Sequence, residues 1–220
     1  RKLVEDWHTL LVFAEGRGAG SNLWSSSTSC DSGFSGIYTS TTHYYCGYYA
    51  LDLSNRTSAG AVTTTEGDIS YSSLNPQYEW ILGGTGAGGF SSTTGPYMGA
   101  PWSRVMTGRV LIGGNERWVG VVGGGTYSAG AADSGKGFFV VDLADGSILW
   151  SYTKSTDTNL DNPMPAPPSI VDTDNDGFID TVYLGDLGSN MWRFKFCRNT
   201  DGATCGTSDW TGGRLFAATA

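Results

Sequence analysis

The chain has 220 residues, a formal charge of −8 at neutral pH and 33 glycines. Its 28 aromatics exclude disorder and collagen, and Gly plus Pro, at 18%, stays below the level of low-complexity sequence. Charged residues make up only 15%, with four Lys and no long amphipathic period, which excludes a helical bundle. The acidic balance without any basic stripe excludes nucleic acid as a partner.

In chain order, short apolar or aromatic runs bounded by turn residues predict strands at Trp7–Ala14, Tyr48–Leu53, Tyr78–Leu82, Val105–Ile112, Trp118–Val122, Gly137–Leu143, Ile148–Thr153, Phe178–Gly185 and Met191–Phe196. None of these runs approaches the ~20 apolar residues of a membrane-spanning helix, so no transmembrane segment is expected. The chain opens at Arg1 without a signal-peptide pattern, as a processed product or a segment of something longer would.

A phrase recurs along these strands: Gly47-Tyr-Tyr-Ala-Leu-Asp-Leu53, Gly137-Phe-Phe-Val-Val-Asp-Leu143 and Thr181-Val-Tyr-Leu-Gly-Asp-Leu187. Repeats of short antiparallel strands with aromatic signatures predict an all-β fold built as β-propeller blades, against the plainer alternative of generic strand composition around turns. A propeller closes with ~4–8 blades. The expectation is therefore one propeller region over 1–220, a sector of about three blades at 1–97, 98–160 and 161–220, with loop insertions at 20–46 and 83–97. The first unit lacks its opening strand, and the tail from Gly213 reads as a strand that begins the next turn of the repeat. One stretch, Val140 to Trp150, matches the blade motif A-x-D-x-x-T-G-x-x-x-W of quinoprotein-type propellers at Asp142, Gly146 and Trp150. Those residues are read as structural, a tight turn and a docking Trp.

Four cysteines fall as two local pairs, Cys30 with Cys46 and Cys197 with Cys205, each bracketing a polar loop. The arrangement suggests two loop-closing disulfides and an oxidising compartment. The rival readings are free thiols and a Cys₄ zinc site, whose C-x₂₋₄-C spacing is missing.

The strongest chemical signal is Asp172-Thr-Asp174-Asn-Asp176-Gly177-Phe178-Ile-Asp180. Alternating Asp residues gather hard oxygens on one side of a tight loop, Gly177 permits the turn, and the Phe178 carbonyl and Asp180 complete an all-oxygen set that suits Ca²⁺. The alternative is an Asx-rich turn without metal. The loop departs from an EF-hand, since Tyr183 stands where the bidentate Glu belongs and strand-like sequence flanks it.

Other resemblances fail on context. Gly84–Gly89 fits G-x-G-x-x-G but no helix follows, and Gly130–Gly137 nearly fits a P-loop but runs into an aromatic strand. His8 and His43, the only histidines, sit in no catalytic motif, and no G-x-S-x-G elbow exists. No enzyme activity and no catalytic residue is expected. The Ser/Thr/Gly/Tyr-rich insertions are read either as recognition loops or as plain solvated loops.

The run Ser169 to Phe194, with D-x-D-x-D-G-x-x-D followed by Gly185-Asp-Leu-Gly-Ser-Asn-Met-Trp-Arg-Phe194, resembles the calcium-loop blade of the PilY1-type type IV pilus tip and biogenesis proteins. Gly16-Arg17-Gly18, Tyr49 to Leu53, Trp102-Ser-Arg104 and Gly137 to Trp150 resemble that family's preceding blades in the same order. The resemblance implies a modified quinoprotein-like β-propeller with Ca²⁺ held by Asp172, Asp174, Asp176, the Phe178 carbonyl and Asp180. It further implies control of pilus extension and retraction, minor pilins and the pilus tip complex as partners, and adhesion to host or abiotic surfaces. The implied location is extracellular, at the pilus tip or outer surface of a Gram-negative bacterium, with the periplasm crossed in transit. Alternatives are an integrin-like calcium propeller, which shares the acidic loop, and a quinoprotein dehydrogenase fragment, for which no further cofactor constellation is present. No von Willebrand-like N-terminal region is seen.

Overall fold

Polar, glycine-rich turns alternate with runs of β-branched and aromatic residues, and this pattern produces consecutive antiparallel strands. A computed structural model describes residues 8–14, 48–53, 77–82, 97–127 and 132–218. Among them there are eleven strands, short 3-10 turns and no α-helix. Likewise, no helix among them is long and apolar enough to cross a membrane.

The strands form three antiparallel sheets. The first contains β1 (Leu10–Ala14), β2 (Tyr48–Asp52) and β3 (Gln77–Leu82). The second runs β4 (Met106–Ile112), β5 (Asn115–Gly123), β6 (Gly137–Asp142) and β7 (Ile148–Thr153), and the third β8 (Ser169–Val171), β9 (Thr181–Gly185), β10 (Asn190–Lys195) and β11 (Thr211–Ala217). In each sheet every strand pairs with its sequence neighbours, the meander of propeller blades. The fold is all-β and of the propeller type.

Burial follows position. All six residues of β6 are buried, because the second sheet is covered on both faces, whereas β10 in the third alternates buried and exposed. Phe138, Val140, Tyr152, Leu184, Trp192 and Phe194 fill the space between the second and third sheets. Tyr48, Trp80, Leu82, Phe139 and Val141 fill that between the first and second.

The blade motif works as its sequence suggests. Ala144 N donates to Asp142 Oδ1 at 2.9 Å, Gly146 N to the Asp142 carbonyl at 2.9 Å, and Gly146 turns the chain at φ 75°. Trp80 of the first sheet lies on that turn. A Cβ at residue 146 would meet its ring at 2.8 Å, and its indole N–H donates to the Leu143 carbonyl at 2.9 Å. Trp150 in turn docks on the third sheet, edge-on to Phe194, Phe196 and Trp210.

Four expectations are corrected. The strand expected over Phe178–Gly185 begins at Thr181, because 178–180 belong to the acidic loop. Ser169–Val171, absent from the expected strands although read as strand-like, forms β8 against β9. The tail does not open a new sheet: Thr211–Ala217 pairs with β10 and completes the third. Finally, the three copies of the Asp-Leu phrase are not equivalent. The copy at 137–143 forms the third strand of its sheet, whereas the copy at 181–187 forms the second. Its structural counterpart is β5. At 142 and 186 Asp-Leu marks a strand end where the carboxylate caps the next turn, a need shared by different hairpins.

Candidate metal centre

The acidic loop connects β8 to β9, and its shape comes from side chain to backbone bonding. Asp172 accepts from Asp176 N (3.2 Å) and Gly177 N (2.7 Å), and Asp176 Oδ1 accepts from Phe178 N (2.9 Å). Asn175 and Gly177 supply left-handed turns at φ 60° and 89°. The result brings carboxylate oxygens of Asp172, Asp174 and Asp176 within 4.8 Å of one another.

Asp180 lies deeper. Its Oδ2 accepts from Thr173 N (2.9 Å) and Thr173 Oγ1 (2.6 Å), and Arg198 Nε stands 3.9 Å away. Its Oδ1 is buried without a hydrogen-bond partner in a residue only 2% exposed. A buried carboxylate oxygen left unpaired is costly unless a cation or proton satisfies it. Asp180, expected as a ligand, stands outside the group of three carboxylates, whose all-oxygen donors by themselves fit a hard divalent cation.

The electrostatics point the same way. The Asp174 carboxyl is pushed above its usual range, by lost hydration first and then by the charges of Asp176, Asp180 and Asp172. At Asp172 lost hydration also opposes the charge, but the N–H groups of Gly177, Asn175 and Asp176 prevail and hold the carboxyl below its usual range. One carboxylate is thus fixed as an anion while its neighbour resists ionisation, the imbalance a bound cation would relieve.

Phe178 lies in this turn with its ring 5.0 Å from the Arg109 guanidinium. Cys197 and Cys205 are bonded, and their loop packs against the acidic one, with Asn199 N donating to Asp176 Oδ2 at 3.3 Å. Cys30, Cys46, His43 and the Gly84–Gly89 motif lie outside the described residues. His8 Nδ1 is 2.7 Å from buried Asp52, a partner that sequence reading did not supply. Also missed was Arg109, which touches the loop from 68 residues away. Its only sequence signal is its register opposite Trp118 on a hairpin.

The fold and this loop define a class: an all-β, propeller-type chain with an acidic strand-loop-strand site. Residues 103–208 match the family described as the PilY1 beta-propeller domain. It is 27% identical over 111 residues, half of its length, to the type IV pilus biogenesis factor PilY1 of Pseudomonas aeruginosa strain UCBPP-PA14. It is 29% identical over 89 residues, 37% of its length, to the PilY1 homolog of Xylella fastidiosa. These matches span only 9% and 6% of those relatives' lengths. The crystal structure of the Pseudomonas aeruginosa PilY1 C-terminal domain aligns with a TM-score of 0.49 at 22% identity, over 74% of this chain and 29% of that one.

Proposed function

We propose that this chain is a noncatalytic, calcium-binding propeller portion of a type IV pilus-associated protein. It would support pilus biogenesis, extension and retraction control, and adhesion, in contact with minor pilins at the tip or outer surface of the cell. The observation that carries the calcium reading is the convergence of the Asp172, Asp174 and Asp176 carboxylates within 4.8 Å of one another. Asp172, Asp174, Asp176, Asp180 and the Phe178 carbonyl would hold the ion. Bound there, Ca²⁺ would supply charge neutralisation and stiffness to a loop that joins two strands. The pilus association rests on the names of the relatives.

Calorimetric Ca²⁺ titration of chelator-treated protein, with Mg²⁺ as control and Asp176→Ala as the knockout, tests the site. One saturable Ca²⁺ site that raises the melting temperature and disappears in the variant is expected. Absence of binding, or equal binding in the variant, would reduce the loop to an Asx turn. Twitching motility and surface pili of a strain carrying Asp176→Ala in the whole protein test the pilus role, and unchanged motility would overturn it.

A further inference from the structure

We propose that Arg109 is a positioning residue that clamps the turn of the acidic loop and reports the loop's state to the β4–β5 hairpin through Trp118. The inference rests on the calcium reading above. It starts from one residue's contacts with three consecutive loop residues. Arg109 Nη2 donates to the Gly177 carbonyl at 3.0 Å, its guanidinium lies 5.0 Å from the Phe178 ring centroid, and its own carbonyl accepts from Ile179 N at 2.7 Å. On the other side the same guanidinium lies 5.9 Å from the Trp118 ring, its cross-strand partner on β5. Glu116 Oε2, 3.6 Å from Nη1, anchors the remaining edge.

The fit at Gly177 is close. A Cβ there would stand 2.6 Å from Arg109 Nη2, and Gly177 carries φ 89°, so glycine serves both the turn and the approach of the clamp. The clamped residues, Gly177, Phe178 and Ile179, are the three that carry the chain from Asp176 to Asp180. They include Phe178, whose carbonyl belongs to the proposed ligand set.

Two opposing effects decide the sign. As a charge, Arg109 repels an arriving divalent cation by ~1.4 kcal/mol across ~6 Å of water, roughly tenfold, which salt and the Glu116 carboxylate 3.6 Å from Nη1 reduce to a few-fold. As a clamp, it removes the need to order the turn on binding, and fixing even one residue is worth roughly five- to thirtyfold. Positioning dominates, so Arg109 strengthens Ca²⁺ binding although it is a cation. Lysine cannot replace it, since a single ammonium cannot both stack between two rings and hold a carbonyl in its plane.

The test is calorimetric Ca²⁺ titration with tryptophan emission on the wild type, Arg109→Lys, Arg109→Gln, Trp118→Phe and Asp176→Ala, melting temperature in chelator serving as the fold control. Affinity should fall about tenfold in both Arg109 variants. Calcium should change the emission of the wild type, and this change should be lost in Trp118→Phe while its calorimetric binding persists. Wild-type affinity in Arg109→Lys, tighter binding in Arg109→Gln, or an emission change that survives Trp118→Phe would overturn the clamp and leave the site standing. No binding by the wild type would overturn the site and the coupling together. If Arg109→Gln melts far below the wild type in chelator, the Arg109→Lys and Trp118→Phe results decide.

Discussion

Phe138 on β6 and Phe194 on β10 stack face to face, with centroids 4.0 Å apart and planes 3° from parallel, and this contact joins the second sheet to the third. Both rings are fully buried, and Trp150 closes the stack edge-on to each. The joint between sheets is therefore aromatic packing beneath a rim of polar turns. The acidic loop and the disulfide loop lie on the same joint, where Ile179 N donates to Arg109 O and Gly113 N to Cys205 O, each at 2.7 Å.

Phe138→Ala should destabilise the chain by about 3–5 kcal/mol, since it removes a buried ring and leaves a cavity between rigid sheets. Phe138→Leu should cost less. Urea unfolding measures both. A loss below 1 kcal/mol for the alanine variant would mean that the sheets fold independently of each other.

Asp186 organises the β9–β10 hairpin. Its carboxylate accepts from Gly188 N, Asn190 N and the Asn190 side chain, and from Trp192 Nε1 at 2.8 Å. Asp186→Ala should cost about 3 kcal/mol, because it strands an indole N–H on a fully buried ring. Trp192→Phe in that background should cost less than it does alone. Additive costs in denaturant melts would show that the two side chains are not coupled.

Much of this was legible in the sequence. The short apolar and aromatic runs, the glycine punctuation and the Asp142–Trp150 motif specify the strands and the docking role of Trp150, because those signals are local. Local signals also misled. Asp142 and Asp186 both cap a turn, so Asp-Leu at 142 and at 186 looked like one repeated position although they close different hairpins. Thr211–Ala217 reads as a strand, but which sheet it joins depends on long-range pairing that no neighbouring residue encodes. In the acidic loop the spacing of the carboxylates was readable. The burial of Asp180 and the reach of Arg109 were not, because both depend on how the sheets meet.

The Cys197–Cys205 bond closes a loop of sequence separation 8 that packs on the β4–β5 turn. Cross-linking a loop of that length restricts the unfolded chain by about 2–3 kcal/mol. The double variant Cys197→Ser with Cys205→Ser should lose about that much in urea unfolding. It also places a hydroxyl where a buried sulfur accepts from Trp210 Nε1. An unchanged midpoint would mean that the loop is ordered without its bond.

Lys136 and Lys154 each bridge Asp133 and Asp161, tying the turn before β6 to the segment after β7. Hydrogen bonds from Lys154 hold the Asp161 and Asp133 carboxyls below their usual range, with Lys136 adding to the effect and slight burial of Asp133 opposing it. A depressed carboxyl stabilises the fold above its unfolded pKa of ~3.9 and loses that contribution as pH falls through the folded value. The urea midpoint should thus fall between about pH 5 and pH 3, and fall less steeply in Lys154→Met. Identical slopes in the two proteins would assign the acid sensitivity elsewhere.

Asp174 carries the opposite sign. Its carboxyl is raised, so its ionised form burdens the metal-free fold and stability declines as pH climbs through its pKa. Asp174→Asn keeps the size of the side chain, removes one of the mutually repelling charges and leaves a weaker neutral oxygen for a cation. In chelator, near neutral pH, the variant should melt higher than the wild type. In millimolar Ca²⁺ the order should reverse, because the wild type gains binding energy that the variant has largely surrendered. A rise in chelator without the reversal would identify the loop as a strained turn that takes no ion. Reversal without the rise would mean that solvent already screens the repulsion among Asp172, Asp174 and Asp176.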